Sequence, residues 1–391
     1  MSAVPKALIA VFADPSASPR ARRMTQLCLK HGYETHLLSL AQKRDLGLHK
    51  LYPLSKSTSK WNTTRKIAAI KIGLLFPFVR SKTYLESIIE KAYGLNQIED
   101  PFAENKYHVI IIEDLYLLPY CLKRRNNTPI LFDAREFYPK QRERNIVFEL
   151  LEKPIRNWTC KTFMKHCDTV FTVSKGIASA YENEYNINAK VLRSTPPYIS
   201  KSINRQPPPT NKIRLVHLGV ANPNRKIENM IQIFEGVKDL FSIDFYLAGN
   251  SRYIKKLRRI SKDISGLKIL NPVAPKDIIS TLSHYDIGFY YLEPHGFNLK
   301  HSLPNKFFEF IQARLAVAVG PSPEMAKIVN EYNCGFVAEN FTTSSMIKTL
   351  RAITSETLKN AQQASERAAN ILCAENEWKQ VEDVLAKLKN S

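Results

Sequence analysis

No stretch of this sequence runs for about 18 uncharged apolar residues, so no segment reads as a bilayer-crossing helix. Cysteine is scarce, with six in 391 residues (Cys28, Cys121, Cys160, Cys167, Cys334 and Cys373). They form no Cys-x-x-Cys pair and no metal-ligand spacing, which argues against a disulfide frame or a zinc site and fits a reducing, cytoplasmic compartment. The opening MSAVPKALIAVFADPSAS lacks the basic region and cleavage site of a secretory signal and reads as the start of a domain. Acids are outnumbered, 36 against 57 lysines and arginines, which gives a net charge of +21 and predicts attraction to a polyanion: nucleic acid, anionic lipid or acidic glycan. Aromatics interleaved with basic residues on a strand face, the signature of a nucleic-acid binder, are missing, which weighs against that class.

What is present is globular composition, 44% hydrophobic and 24% charged, at a length that suits two domains. Residues 6–13 (KALIAVFA) read as a buried strand, followed by a loop with Asp14, a helix to Lys30 and a second strand over Tyr33–Leu40. Such a β-α-β opening demands a parallel sheet with its ligand site at the carboxyl ends of the strands. YHVIIIED (107–114) and TPILFDA (128–134) are strands with acids at their ends, and DTVFTVS (168–174) is another. PPYISKSINRQPPPTNK (196–212) carries five prolines and no helical or strand period, which makes it the linker candidate. The boundaries that follow are an N-terminal domain over 1–200, a linker over 201–212 and a C-terminal domain over 213–391. In the latter the β-α rhythm restarts with IRLVHLG, SIDFYLAG, LKIL, DIGFYYL and LAVAVG, and the tail from Thr357 to Lys389 is helical by period.

The most informative stretch is SLPNKFFEFIQARLAVAVGPSPEM (302–325). Pro304 marks a helix start, Lys306 falls in the first turn and Glu309 one turn on. Unbonded N–H groups and the local dipole at such a terminus suit a diphosphate, Lys306 adds a point charge, and a carboxylate at Glu309 suits a ribose diol. The same residues also read as an amphipathic helix whose Phe307, Phe308, Phe310 and Ile311 fill the core while Lys306 and Glu309 are merely solvated. His217, inside an apolar strand, reads as a core histidine. WNTTRKIAAIKIGLLFPFVRSKTYLESIIEKA (61–92) alternates cations with apolar residues and reads either as a surface helix on anionic lipid or as a core-facing helix with a solvated basic face.

The 302–325 stretch resembles the donor-binding segment of the GT-B-fold "group 1" retaining glycosyltransferases, the family-four-like enzymes, where LPNK-FFE, a small strand and a P-x-E-M turn recur in that order. HLGVANPNRKIENMI (217–231) is similar to the first loop of that family's C-terminal domain, whose pyrophosphate lysine maps onto Lys226, with Arg225 beside it. NPVAPKDIISTLSHYDIGFYYLEP (271–294) resembles the stretch whose backbone, here near Val273 and Ala274, meets the nucleobase. Asn298, Ser302 and Asn305 complete the donor-side set that the resemblance implies with Lys306 and Glu309. The pattern departs at His301, where the family often has a second glutamate, at Val220 in place of an arginine, and in ADPSASPR (13–20), which has none of the usual loop glycines. FDAREFYP (132–139) resembles a D-A-H-E-x-Y-P motif with Arg135 in place of histidine.

The resemblance implies an α/β protein of the GT-B class, two Rossmann-like parallel-sheet domains facing a cleft. It implies a nucleotide-sugar-dependent glycosyltransferase with a glycan or lipid-linked acceptor, working without a metal and with the donor as substrate rather than a cofactor. Retention needs positioning and charge stabilisation at the leaving phosphate but no protein nucleophile. Inversion needs a carboxylate base, for which Asp14, Asp133 and Glu136 are the candidates. A GT-B-like protein that only binds glycan or a partner is the rival reading, as is a basic nucleic-acid-binding protein.

Overall fold

The computed structural model describes the chain except for residues 1–3, 17, 41–43, 55–66, 68–69, 72–73, 75–80, 201–211 and 390–391. The linker expected at 201–212 therefore lies outside the described residues apart from Lys212, as do Arg65, Lys66 and Arg80 of the basic stretch. Two compact units divide the chain. The first takes residues up to Arg193, the short piece Gly296–Asn298 and everything from Trp378 onward, and the second takes Ser194–His295 and Leu299–Glu377.

Among the described residues the first unit holds a seven-stranded sheet of β1 (Lys6–Val11), β2 (Glu34–Ser39), β3 (Lys50–Pro53), β4 (Val109–Ile112), β5 (Ile130–Ala134), β6 (Thr169–Thr172) and β7 (Ala189–Val191), ordered β3-β2-β1-β4-β5-β6-β7. Each pair is parallel. The central strands are buried on both faces, and for that reason VIII is a continuous apolar run and ILFDA is interrupted only by Asp133. Pro19 opens the first helix, Pro19–Lys30, where its missing N–H costs nothing, and the Ser18 side chain caps it.

The second unit repeats the scheme with β8 (Ile213–Ala221), β9 (Phe241–Gly249), β10 (Leu267–Leu270), β11 (Ile287–Tyr290), β12 (Ala316–Val319) and β13 (Gly335–Val337), ordered β10-β9-β8-β11-β12-β13 and again parallel. Its core layer includes Phe307, Phe308, Phe310 and Ile311 of helix Asn305–Gln312, all fully buried. That helix lies so close to β11 that a Cβ on Gly288 would stand 2.1 Å from Phe310 Cγ, so the position admits only glycine without a shift. The strand order reverses beside β1 in one sheet and beside β8 in the other, and those switch points are where doubly wound sheets open a crevice for ligands.

The helical tail differs from its expected assignment. Thr354 and Thr357 form a capping box for Ser355–Ile371, which packs in the second unit, but the last helix, Lys379–Lys389, belongs to the first. Tyr33 donates to the Leu385 carbonyl (2.7 Å), Trp378 Nε1 to the Arg193 carbonyl (3.2 Å) and Gln380 to the Val191 carbonyl (2.8 Å). The second unit thus ends at Glu377, and these hydrogen bonds tie the residues after it to the first unit.

Candidate functional site

In the second unit, the switch point between β8 and β11 gathers the charged residues singled out in the sequence. After β8 the chain makes a tight turn in which the Asn222 side chain accepts from the Asn224 N–H, the Arg225 N–H donates to the Asn222 carbonyl and the Lys226 N–H to the Pro223 carbonyl. The turn closes with Lys226 in the left-handed region (φ 46°), at the N-cap of helix Ile227–Glu235. This geometry sends the two neighbouring cations to different places. Arg225 lines a small cavity with Tyr290, Leu292, Glu293, Ser302 and Ser322. Lys226 is exposed and lines a separate open hollow of about 610 Å³ with Asn229, Asn250, Arg252 and Lys256. Burial first, and then the Arg225 charge against the pull of Glu309, holds the Lys306 ammonium below its ordinary range.

Helix Asn305–Gln312 starts behind Pro304, and its Phe307 N–H is taken by the Pro304 carbonyl. The N–H groups of Asn305 and Lys306 belong to the unsatisfied first turn. Lys306 and Glu309 are half-buried, and among the described residues neither side chain makes a hydrogen bond or an ion pair. Burial raises the Glu309 carboxyl above its ordinary range while the Lys306 charge opposes that shift. An unbonded cation and an unbonded carboxylate one helical turn apart, at a helix N-terminus, form a pair whose hydrogen-bonding capacity is unspent.

His217 lies beneath this set, fully buried, with Nδ1 2.9 Å from the Phe289 carbonyl. That bond makes Nδ1 the donor and leaves Nε2 a lone-pair acceptor without a partner. Burial, reinforced by Lys306 and Arg225, lowers its pKa to about 4, so the ring is neutral. Gly219 covers Nε2 so closely that a Cβ there would stand 2.6 Å from it. His301, at the position where the family often has glutamate, meets a carboxylate all the same, for its Nδ1 is 3.1 Å from Glu324 Oε1 in the first turn of helix Pro323–Tyr332. The Ser302 hydroxyl donates to the Leu299 carbonyl (2.9 Å) and lines the Arg225 cavity. Val273 and Ala274 follow β10, Val273 packed against the core and Ala274 exposed.

Asn298 belongs elsewhere. It lies in the first unit, where its side-chain oxygen accepts from the Phe137 N–H (2.7 Å) and its amide donates to the Phe137 carbonyl (3.0 Å). An amide that completes a backbone pair in this way is spent.

The three carboxylates considered as bases are also in the first unit, each already engaged. Asp133 is fully buried and bidentate with Arg20 (2.7 and 2.6 Å), whose guanidinium also reaches the Leu192 carbonyl (2.7 Å). Asp14 forms a turn in which one oxygen accepts from both the N–H (2.9 Å) and the hydroxyl (2.6 Å) of Ser16. Glu136 accepts from Gln141 (3.1 Å).

The group that the sequence reading passed over is Glu113, one residue past the end of β4 at the switch point. It is fully buried, neither carboxylate oxygen has a hydrogen-bond partner, and its nearest cation is Arg135 at 3.7 Å. Burial first, then the neighbouring Asp133 charge, raises its pKa to about 8 against the pull of Arg135 and Arg20. The signal available was the acid pair ED closing an all-apolar strand buried on both faces.

Among the described residues no group of three His, Cys, Asp or Glu is placed to hold a metal ion. No protein-family model matches the chain, and no curated protein matches it. Solved structures do match in shape. Sucrose-phosphate synthase from Thermosynechococcus elongatus is similar over 99% of this chain and 98% of its own (TM-score 0.70, 11% identity). The E. coli trehalose-6-phosphate structure bound with UDP-2-fluoro glucose is similar over 99% of both chains (TM-score 0.66, 11% identity). WaaG, a glycosyltransferase involved in lipopolysaccharide biosynthesis, is similar over 97% of this chain and 99% of its own (TM-score 0.61, 12% identity). At such identities the likeness is one of fold, and that fold is GT-B, two parallel-sheet α/β units along nearly the whole chain.

Proposed function

We propose that this protein is a glycosyltransferase that moves a sugar from a nucleoside-diphosphate donor onto a glycan or lipid-linked acceptor, with retention of configuration, in the cytoplasmic synthesis of a surface polysaccharide or glycoconjugate. The observation that carries the reading is the half-buried set of Arg225, Lys306 and Glu309 at the β8/β11 switch point, with Lys306 and Glu309 unbonded at a helix N-terminus. Two cations and first-turn N–H groups are what a leaving diphosphate needs, and they supply the charge stabilisation that a divalent ion gives in other enzymes. Glu309 is assigned to the ribose hydroxyls, and Val273 and Ala274 to the base through their backbone. The E. coli neighbour holds a UDP-sugar, which supports a nucleoside-diphosphate sugar as the class of donor here.

Retention is favoured by the state of the acids in the first unit. An inverting reaction asks for a carboxylate free to take the acceptor proton. Asp133 is neutralised by Arg20, Asp14 is folded into its own turn and Glu136 is bonded to Gln141. With those three engaged, we assign the acceptor proton to the leaving phosphate, with attack on the face the nucleotide vacates. Hydrolysis assayed across a panel of nucleotide sugars tests the proposal, with release of nucleoside diphosphate from at least one donor as the expected result and the anomeric configuration of the released sugar read by NMR. Absence of both release and binding for every donor overturns it, and binding without release leaves a sugar-nucleotide binder in place of an enzyme.

A further inference from the structure

The first unit carries a feature that glycosyl transfer does not use. The helical segment that runs through Phe148–Glu152 into Lys153–Phe163 begins with Ile146, 71% exposed, Val147, 56%, and Leu150, 63%. Three aliphatic side chains within one turn stand in solvent. The turn beneath them is fixed, because Phe148 points inward at 1% exposure under the Arg156 guanidinium and its N–H is held by the Asn145 side chain (3.0 Å). Clustered exposed aliphatics on an ordered element mark a surface that something else covers.

The charges around the tip say what. Each acid nearby is already compensated or occupied: Glu149 pairs with Lys153, Glu152 with Arg156 (3.0 Å), and Glu143 accepts from the Phe297 N–H. Arg142, Arg144 and Lys161 are exposed and have no acid partner among the described residues. Beside the tip lies an open groove of about 660 Å³ whose walls include Pro154, Trp158 and Tyr185, with Lys153 and Lys161 at its rim. Protruding aliphatics, flanking aromatics and the unpaired cations Arg142, Arg144 and Lys161 are the chemistry of a surface that meets acyl chains below and anionic headgroups above. The same unit also exposes Ile67, Ile70 and Leu74, spaced three and four residues apart, with Lys71 beside them.

We propose that the first unit docks on an anionic lipid surface through Ile146, Val147 and Leu150, with Arg142, Arg144 and Lys161 engaging the headgroups. The inference stands apart from the donor site, so vesicle binding can be present or absent whatever the sugar chemistry proves to be. The experiment is co-sedimentation of the full chain with phosphatidylglycerol-containing vesicles and with neutral phosphatidylcholine vesicles, for the parent, for Ile146→Ser/Val147→Ser/Leu150→Ser and for Arg142→Ser/Arg144→Ser. The parent binds the anionic vesicles and releases them as salt rises. The aliphatic variant loses at least about tenfold in affinity at an unchanged melting temperature, and the arginine variant loses the preference for anionic lipid. Leu150→Asp alone, a single change at an exposed position, repeats the loss if the triple variant melts early. Parent-like binding by the aliphatic variant overturns the proposal, and so does a parent that ignores vesicles but self-associates through the tip, which makes the surface an interface between copies.

Discussion

Replacing Glu113 with glutamine isolates the energetic consequence of one buried acid. The folded chain keeps this carboxyl protonated up to about pH 8, whereas in the unfolded chain it ionises near its ordinary value of 4.5. Below pH 4.5 both states hold the proton and the site costs nothing. Between 4.5 and 8 the folded state binds a proton that the unfolded state has lost, so stability falls as pH rises, by up to about 1.36 kcal/mol per unit. By pH 7 the accumulated cost is on the order of 3 kcal/mol, and above pH 8 it levels off as the folded carboxyl ionises beside Asp133 and Asp114, with Arg135 and Arg20 limiting the penalty. Glutamine has the same shape and no proton to lose. Denaturant titrations from pH 5 to 9 should show Glu113→Gln flattening that slope and exceeding the parent in stability at pH 8. An unchanged slope, or a variant weaker than the parent at every pH, refutes the assignment of a neutral Glu113.

The Arg20–Asp133 pair should behave in the opposite sense. Arg20→Ala strands a buried carboxylate and is expected to lower stability by about 3–5 kcal/mol, measured by chemical denaturation, while Arg20→Ala/Asp133→Ala recovers part of it. Gly219→Ala drives a methyl group to within 2.6 Å of His217 Nε2 and should cost roughly 1–3 kcal/mol in thermal unfolding. A second change, His217→Ala, should relieve most of that cost, and additive losses from the two changes would show that the crowding lies elsewhere.

The architecture was legible because its signals are local. KALIAV, VIII, ILFDA and AVAV are buried on both faces and read as strands without reference to anything distant, and Pro304 marks a helix start for a reason carried by the residue itself. The strands that escaped notice, Lys50–Pro53, Ala189–Val191 and Gly335–Val337, are three or four residues long and partly exposed, too short for any period to show. The site was legible in its residue types but not in its geometry. NRK in the loop after β8 offers two adjacent cations, and the turn that closes with Lys226 in the left-handed region sends them to different cavities, which no local pattern announces. Asp133 resembled a free acid because the arginine that neutralises it is 113 residues away. The last helix read as part of the second half because its neighbours in sequence are there, while its hydrogen-bonding partners, Tyr33 and Val191 among them, are not.

On the proposed function, Arg225, Lys306 and Glu309 at the β8/β11 switch point of the second unit hold the diphosphate and ribose of a sugar nucleotide. Calorimetric titration with the nucleotide sugar that gives the strongest signal tests it directly, using the parent and the single changes Arg225→Ala, Glu309→Ala and Lys226→Ala. Loss of one charge-assisted bond is worth about 1.5–3 kcal/mol, so Arg225→Ala and Glu309→Ala should each weaken binding by roughly ten- to a hundredfold at an unaltered fold. Lys226→Ala, whose side chain lines a different hollow, should stay within about threefold of the parent on the same scale. Undiminished donor affinity in a folded Arg225→Ala or Glu309→Ala protein, or a larger loss from Lys226→Ala than from Arg225→Ala, contradicts the account.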